Sequence, residues 1–576
     1  MERGGQVDAL SLAAASDALT SRPLLLILLA SLSLFASAQD GLTASARELF
    51  EQERWTEVVK LLESAPRPSA DLDYYYGVAL AHLERWDQAR DVLRAGSRLQ
   101  PRDKRFPVEL AGIDFKQKNY GEAKAHLRRA LRLDPKDEYA NDFLAAVYFL
   151  QGNLEAAVKY WNSAGKPAIA ALRNEPELRI RPALLDHAFA FAPMSTLKLA
   201  ELRTTEARLN GLEIFPSYRI DLAARPEGNF DSVLRASELN GFGNTRLQAL
   251  LHVFRGLPFQ QITPEYDNFG GSAINFFALA RWDPDKRRWF AQVSGPLGSN
   301  PEWRFRVVFD LRNENWEIRN GFTGPAPILA ALNLRRNAGS AEIVRLVGWR
   351  WRWGLGVELS DRDNRNVLAG TLLTPQLLRQ GFQLKQTAHL EFALLRSPEH
   401  RLSVSNRFDS QAGRLWSQTD DSFEKLQALL DTHWLPQAKG DDLETRWQLR
   451  AGQTSGSVPF DELFMLGLER DNNLWLRAHI GTRNGRKGSA PLGRDYVLSN
   501  YETDKNVYSN GFFTVKLGPF LDTGKMLDTS TSLGSRQWLW DTGAQAKLRV
   551  LGVGVTFSYG KDLRTGNNAY YATLAH

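Results

Sequence analysis

From about Gly271 to the end of the chain, apolar side chains recur at every second position. In Trp303-Arg304-Phe305-Arg306-Val307-Val308-Phe309-Asp310-Leu311-Arg312 the odd positions are apolar and the even ones, Val308 excepted, are charged. INFFALARW turns at Asp283-Pro284-Asp285 into RRWFAQV, and HLEFALL turns through Ser397-Pro398-Glu399-His400 into RLSVSNRF. A period of two means strands with one oily and one wet face. Lipid cannot satisfy the open edge of a sheet, so strands of this kind that cross a membrane must close into a barrel. At roughly 20 residues per strand and connection, residues 265–576 predict a transmembrane antiparallel β-barrel of about 16 strands. A large soluble β-domain would alternate as well; aromatic residues gathered near the segment ends, as in interfacial girdles, favour the barrel.

VGWRWRWGLGVELS poses the same choice locally. Arginine interleaved with aromatics can form a stacking platform for single-stranded nucleic acid. With 72 basic residues against 66 acidic ones and a net charge of only +6, composition does not call for such a partner. Read as a strand, the stretch puts Val347, Trp349, Trp351, Trp353, Leu355, Val357 and Leu359 on one face and Arg350, Arg352 and Glu358 on the other. The tryptophans are therefore expected to face lipid and the arginines the lumen, and no nucleic acid is expected.

The chain has no cysteine, which removes disulfides, thiolate nucleophiles and Cys-ligated metal sites. Near the N-terminus an apolar run from Leu24 to Phe35 precedes Ala36-Ser37-Ala38, the small-x-small pattern of signal peptidase, so residues 1–38 are expected to be a secretory signal. The run is too short to span a bilayer as a helix.

Residues 41–166 repeat. Gly77, Ala89, Leu93 and Pro101 recur 34 residues later as Ala111, Ala123, Leu127 and Pro135, and a further step gives Ala145 and Ala157 while the proline register is lost. An earlier copy is anchored by Ala46, Val58 and Leu62. This period and small-residue spacing resemble the tetratricopeptide repeat, in which paired helices pack closely at the small positions and proline ends the second helix. The resemblance implies a stacked solenoid whose groove holds a peptide or partner protein, or else a spacer. Beyond it, ELRIRPALLDHAFAF reads as extended, STLKLAELRTTEARLNGLEIF has helical spacing, and YRIDLAARPEGNFDSVLRASE reads as a hairpin about Pro226-Glu227-Gly228-Asn229. Helix, short apolar segment and hairpin together resemble the POTRA module, a small periplasmic α+β unit that precedes assembly barrels. It is placed at 167–240, with 241–264 as linker.

The last 120 residues carry the most specific likeness. VPFDELFMLGLERDNNLWLRAHIGTRNGRKG, YVLSNYE, TVKLGPFLDTGKM and WLWDTGAQAKLRVLGVGVTFSYGKDL resemble the end of a BamA/TamA-type outer-membrane barrel. In that superfamily a long loop with an Arg-Gly-aromatic motif folds back into the lumen. Phe460, Phe464 and Gly467 would lead into the loop, Arg477 falls at the motif arginine, and Phe520, Asp522 and Gly524 match the FxDxG strand. Ala478 replaces the motif glycine and His479 the aromatic, which leaves the loop's conformation open. A guanidinium inside a barrel needs a carboxylate, and Asp522 or Asp541 could supply it. Arg483, Arg486 and Lys487 read as a solvated turn.

Nine scattered histidines, without G-x-S-x-G, HExxH or a recognisable carboxylate pair, make no enzyme. His389 and His479 are expected to be polar lumen or loop residues. No catalytic residue, cofactor or metal is expected. The resemblance implies an outer-membrane protein that assembles, inserts or translocates polypeptides, with outer-membrane lipid around it and protein or peptide clients held by its periplasmic arm. A polysaccharide or solute channel with a docking module, and a soluble scaffold, are the other readings.

Overall fold

The computed structural model describes residues 41–575 apart from 66–68, 227, 320–326, 369–372, 417–419, 439, 511–512, 528–532, 534–536 and 551–552, so the expected signal segment lies outside the described residues. The chain divides after Val147 into two compact units.

The helices come as α1 (41–51), α2 (Trp55–Leu62), α3 (Ala70–His82), α4 (Trp86–Leu99), α5 (Arg105–Lys116), α6 (Tyr120–Leu133), α7 (Glu138–Leu150) and α8 (Leu154–Trp161). In the first unit Ala89, Leu93, Ala111, Ala123, Leu127 and Ala145 are buried. A Cβ on Gly77 would sit 2.6 Å from Leu93 Cγ, so the α3–α4 approach leaves no room for a side chain there. Pro101 and Pro135 follow the ends of α4 and α6, where a missing N–H costs nothing. The Ser69 hydroxyl caps α3 by accepting from Leu72 N at 3.3 Å. Arg105–Asp71 at 2.6 Å ties neighbouring repeats, and Lys104–Asp134 at 2.7 Å ties the start of α5 to the end of α6 within one repeat.

The second unit begins with Tyr148, and its first sheet has the order β2-β1-β4-β3: β1 (Ala168–Glu175), β2 (Ser195–Thr196), β3 (Ser217–Ala224) and β4 (Phe230–Ser237). β1 runs parallel to β4, and β3 and β4 form the expected hairpin. Helices α9 (Pro182–Ala188) and α10 (Leu199–Leu212) lie between β1 and β3 in the chain. The segment read as extended therefore contains a helix. Pro182 opens it at a position where proline's fixed φ is already helical, and seven residues are too few to show a helical period. The stretch read as a linker also carries a helix, α11 (Arg246–Phe254), capped by the Thr245 hydroxyl.

A closed barrel follows. Its long strands are β5 (Asn275–Arg281), β6 (Lys286–Leu297), β7 (Asn300–Arg319), β8 (Ile328–Val347), β9 (Trp351–Leu368), β10 (Gly381–Ser397) and β11 (Leu402–Trp416). After them come β12 (Asp420–Trp434), β13 (Leu443–Gly456), β14 (Tyr496–Ser509), β15 (Phe513–Met526), β16 (Leu539–Val550), β17 (Val553–Asp562) and β18 (Asn568–Ala575). Each pairs antiparallel with the next, and the two-residue pieces Gln261–Ile262 and Glu265–Tyr266 pair with β5 in the closing position beside β18. The sheet has the size the alternation predicts.

Its polarity is inverted relative to a soluble protein. Trp289, Phe309, Leu355, Val357, Phe408, Leu426, Leu449 and Phe557 are exposed on the outside, whereas Arg281, Lys286, Glu314, Arg362 and Lys385 are buried within. Such a surface is stable only against lipid. Among the described residues no helix is long and apolar enough to cross a membrane.

One reading of the lipid face needs correction. Val347 pairs with Trp351, so Gly348, Trp349 and Arg350 form the turn between β8 and β9. Trp351 is exposed and Trp353 half-buried on the strand. Trp349 belongs to the turn, where the Arg203 guanidinium of α10 lies 4.5 Å from its ring centroid. Desolvated guanidinium–indole stacking, rather than lipid, is its environment. The same junction is held by Arg396, which pairs with Glu155 at 2.9 Å and Glu206 at 2.5 Å, and by the Tyr160 hydroxyl on Glu399 at 3.1 Å.

Candidate functional site

The connection from β13 to β14, residues 457–495, folds into the barrel. Val458, Phe460, Phe464, Leu466, Leu468, Leu474, Leu476 and Ala478 along it are buried. Two apolar clusters receive them, one with Trp316, Leu332, Leu334 and Phe423, the other with Tyr496, Leu498, Met526 and Leu539. A connection that ran over the surface would leave those side chains in water.

Charge fixes the loop's orientation. Its first half is acidic and meets basic strands: Asp461 pairs with Arg362 at 3.2 Å, Glu462 with Lys385 at 3.1 Å, and Asp471 with Arg281 at 2.8 Å and Arg288 at 2.6 Å. Its second half is basic and meets acidic strands. Arg477 donates from Nε to Asp522 Oδ2 at 2.8 Å and from Nη2 to Asp522 Oδ1 at 2.7 Å, a fork on a fork. Nη1 reaches Glu502 at 2.9 Å and Gln545 at 2.8 Å, and the Phe520 ring centroid lies 3.8 Å from the guanidinium carbon. Four of the five N–H donors of the buried guanidinium are thus occupied. The Arg477 main-chain N–H also donates to Asp522, at 3.1 Å.

Next along the loop, Ala478 N donates to Asp541 Oδ2 at 2.7 Å, and His479 Nδ1 lies 3.0 Å from the same oxygen. The structure therefore brings together Arg477, His479, Asp522 and Asp541. A Cβ on Gly560 would stand 2.5 Å from Arg477 O, so β17 admits the loop only because that residue is glycine. His389 faces inward and meets Glu342 at 2.8 Å.

Lys487 departs from the reading as a solvated turn. Thr482–Arg483 and Arg486–Lys487 form a minute hairpin, but Lys487 is buried and pairs with Glu314 at 2.7 Å and Asp471 at 3.3 Å. Arg486 stays exposed and pairs with Asp285 at 3.3 Å. Sequence reasoning also missed Asp461, Glu462, Glu469 and Asp471. Their clustering in DELFMLGLERD was the available signal, since a barrel lumen is where acidic residues among apolar ones can both be buried.

The loop does not fill the lumen. A cavity of about 840 Å³ remains, lined by charged side chains such as Arg281, Arg446, Glu502 and Lys547 and by apolar ones such as Phe277 and Phe290. The arrangement is a plug held by opposed charges.

A family model described as Tetratricopeptide repeat matches residues 114–167. No curated protein matches the sequence. Among solved structures the chain is similar to BamA from Haemophilus ducreyi lacking POTRA domains 1-3, at 12% identity over 70% of this chain and 84% of that one, with a TM-score of 0.39. CdiB from Escherichia coli is similar at 15% identity over 71% and 76%, with a TM-score of 0.46. MamA is similar at 17% identity over 22% and 75%, with a TM-score of 0.21.

Proposed function

We propose that this protein is an outer-membrane barrel that assembles, inserts or translocates other polypeptides, with residues 41–240 as a periplasmic arm that recruits them. The observation that carries this reading is the loop 457–495, pinned inside the lumen by the Arg477–Asp522 pair at one end and by Asp461, Glu462 and Asp471 at the other. A barrel so plugged is not built for passive flow. Work on a client must then proceed at the wall, at the arm, or by moving the plug, and none of these needs covalent chemistry.

The sheet over 168–237, read as a POTRA-like unit, supports recruitment. Its hairpin strand β3 is an edge, and an edge strand offers unpaired N–H and C=O groups to an extended client. The helical repeats supply a second surface for a peptide or partner. The Arg203–Trp349 stack and the Arg396–Glu155–Glu206 cluster couple this sheet's helices to a barrel turn, so an event at the arm is mechanically connected to the wall. A second reading, a channel for polysaccharide or another hydrophilic solute, is favoured by the charged cavity beside the plug.

Depletion in the native host separates the two. Loss of other outer-membrane or exported proteins supports the first; normal assembly of those proteins with polymer export arrested sinks it. Photo-crosslinkers along β3 should trap extended protein clients.

A further inference from the structure

Three buried aspartates stand in one row across adjacent strands. Asp522 on β15 is directly opposite Asp541 on β16, and Asp541 is directly opposite Asp562 on β17. Each is at most 1% exposed. Directly opposed residues have Cβ atoms about 5 Å apart, and like charges so placed repel. Inside a barrel, away from water, that repulsion is severe unless cations are interleaved.

Arg477 neutralises the first member, Asp522, and shares itself with Glu502. Lys547 is committed to Glu502 at 2.8 Å and Asp504 at 2.6 Å. Over the other two stands His479, itself 1% exposed. Its Nδ1 is 3.0 Å from Asp541 Oδ2 and its Nε2 is 3.9 Å from Asp562 Oδ2. The second distance is too long for a hydrogen bond, yet it suits two ligands that share one ion at about 2.1 Å each. Donor atoms of His479, Asp541 and Asp562 all lie within 4.8 Å of one another, the spread expected of ligands about a single ion. Independently, Asp541 Oδ1 is buried and has no hydrogen-bond partner. A carboxylate oxygen deprived of both water and donor carries a large desolvation cost, which a cation would remove.

We propose that His479, Asp541 and Asp562 form a site for a divalent transition-metal ion, with Zn²⁺ the best match to one imidazole and two carboxylates. One ion offsets two carboxylate charges where a protonated imidazole offsets one. The ion joins the loop, through His479, to two strands at once. It is a second latch beside Arg477–Asp522, at the position where the loop motif of similar barrels carries an aromatic residue.

The test uses full-length protein in detergent, stripped with EDTA, dialysed, and titrated with Zn²⁺ alone. Wild type is expected to take up one ion that His479→Gln and Asp562→Asn each weaken by at least about tenfold. Failure of wild type to retain Zn²⁺, or equal retention by both variants, overturns the site and leaves a proton-held His–Asp pair. Should a variant not assemble, judged by heat-modifiable gel mobility, proteolysis of wild type decides. Cleavage within 457–495 is expected to be slower with Zn²⁺ than with EDTA, and equal rates overturn the proposal.

Discussion

The helical repeats and the barrel solve opposite problems with the same alphabet. In the first unit Leu62, Leu93, Leu110 and Leu127 are sealed inside, and ion pairs such as Arg47–Glu51 lie in water. In the barrel Leu355, Leu426 and Leu449 point outward, and Arg281, Arg362, Lys385, Asp522 and Asp541 are sealed inside. The medium outside each region differs, and placement follows the medium. A charged pair contributes little in the first setting and is structurally decisive in the second, because removing one partner strands a buried charge.

The largest effect expected from breaking this contrast comes at the latch. Asp522→Ala leaves Arg477 without its bidentate partner, at a cost of about 3–5 kcal/mol. Denaturant unfolding should show that loss, and limited proteolysis should show the loop 457–495 released. Arg47→Ala, in the exposed pair of the helical unit, should change stability by no more than about 1 kcal/mol.

Next comes a matched pair of leucines. Leu99 in α4 is 56% exposed and Leu355 in β9 is 58% exposed. By exposure alone they are equivalent. Leu355→Arg should cost about 2–4 kcal/mol if it faces the hydrocarbon, seen as loss of heat-modifiable folded barrel, with Trp351→Arg in the same direction but smaller toward the strand end. Leu99→Arg should stay within about 0.5 kcal/mol. Equal tolerance at both positions would mean that the outside of the barrel meets water.

What could be read from the chain follows from the same contrast. A lipid-facing position must be apolar whatever its neighbours are, so β5–β18 announce themselves one at a time. Turns are quieter. The three-residue turn 348–350 keeps Val347 and Trp351 in step, so alternation ran through it and carried Trp349 onto a face it does not have. Arg477 and Asp522 were legible through a motif likeness, and Asp541 through the need of a buried guanidinium for a carboxylate, although it meets Ala478 N and His479 rather than Arg477. Asp562 was not, because within the sequence it looks like a turn residue, hydrogen-bonded as it is by Thr565 and Arg564; only strand register sets it opposite Asp541. Asp461 and Asp471 escaped for the same reason, their partners lying on strands far off in the sequence.

Packing in the helical unit gives a smaller effect. A Cβ at Gly96 would lie 2.4 Å from Phe106 Cε1, at the contact of α4 with α5. Gly96→Val should lower stability by about 1–3 kcal/mol, read in thermal unfolding followed by helical circular dichroism. In the barrel's outward positions, where nothing but lipid is displaced, no such penalty exists.

The smallest effect tests an exception to the contrast. Glu109 in α5 is half-buried in the helical unit and, among the described residues, its carboxylate accepts from a neutral partner, the Tyr74 hydroxyl at 3.1 Å. Burial raises its carboxyl pKa, and the hydrogen bond opposes that rise without cancelling it. The folded state therefore holds this proton more tightly than the unfolded chain does. Its contribution to stability is full below the unfolded value of about 4.3 and is lost as pH rises through the higher folded value. Glu109→Gln keeps an acceptor for Tyr74 and abolishes the charge. The variant should be the more stable form at neutral pH, and the decline of wild type across that interval should be absent from it. Titration of helical unfolding in the full chain from about pH 4 to pH 7 reads this directly. An identical slope in both proteins would mean that Glu109 is as well hydrated as the surface carboxylates around it.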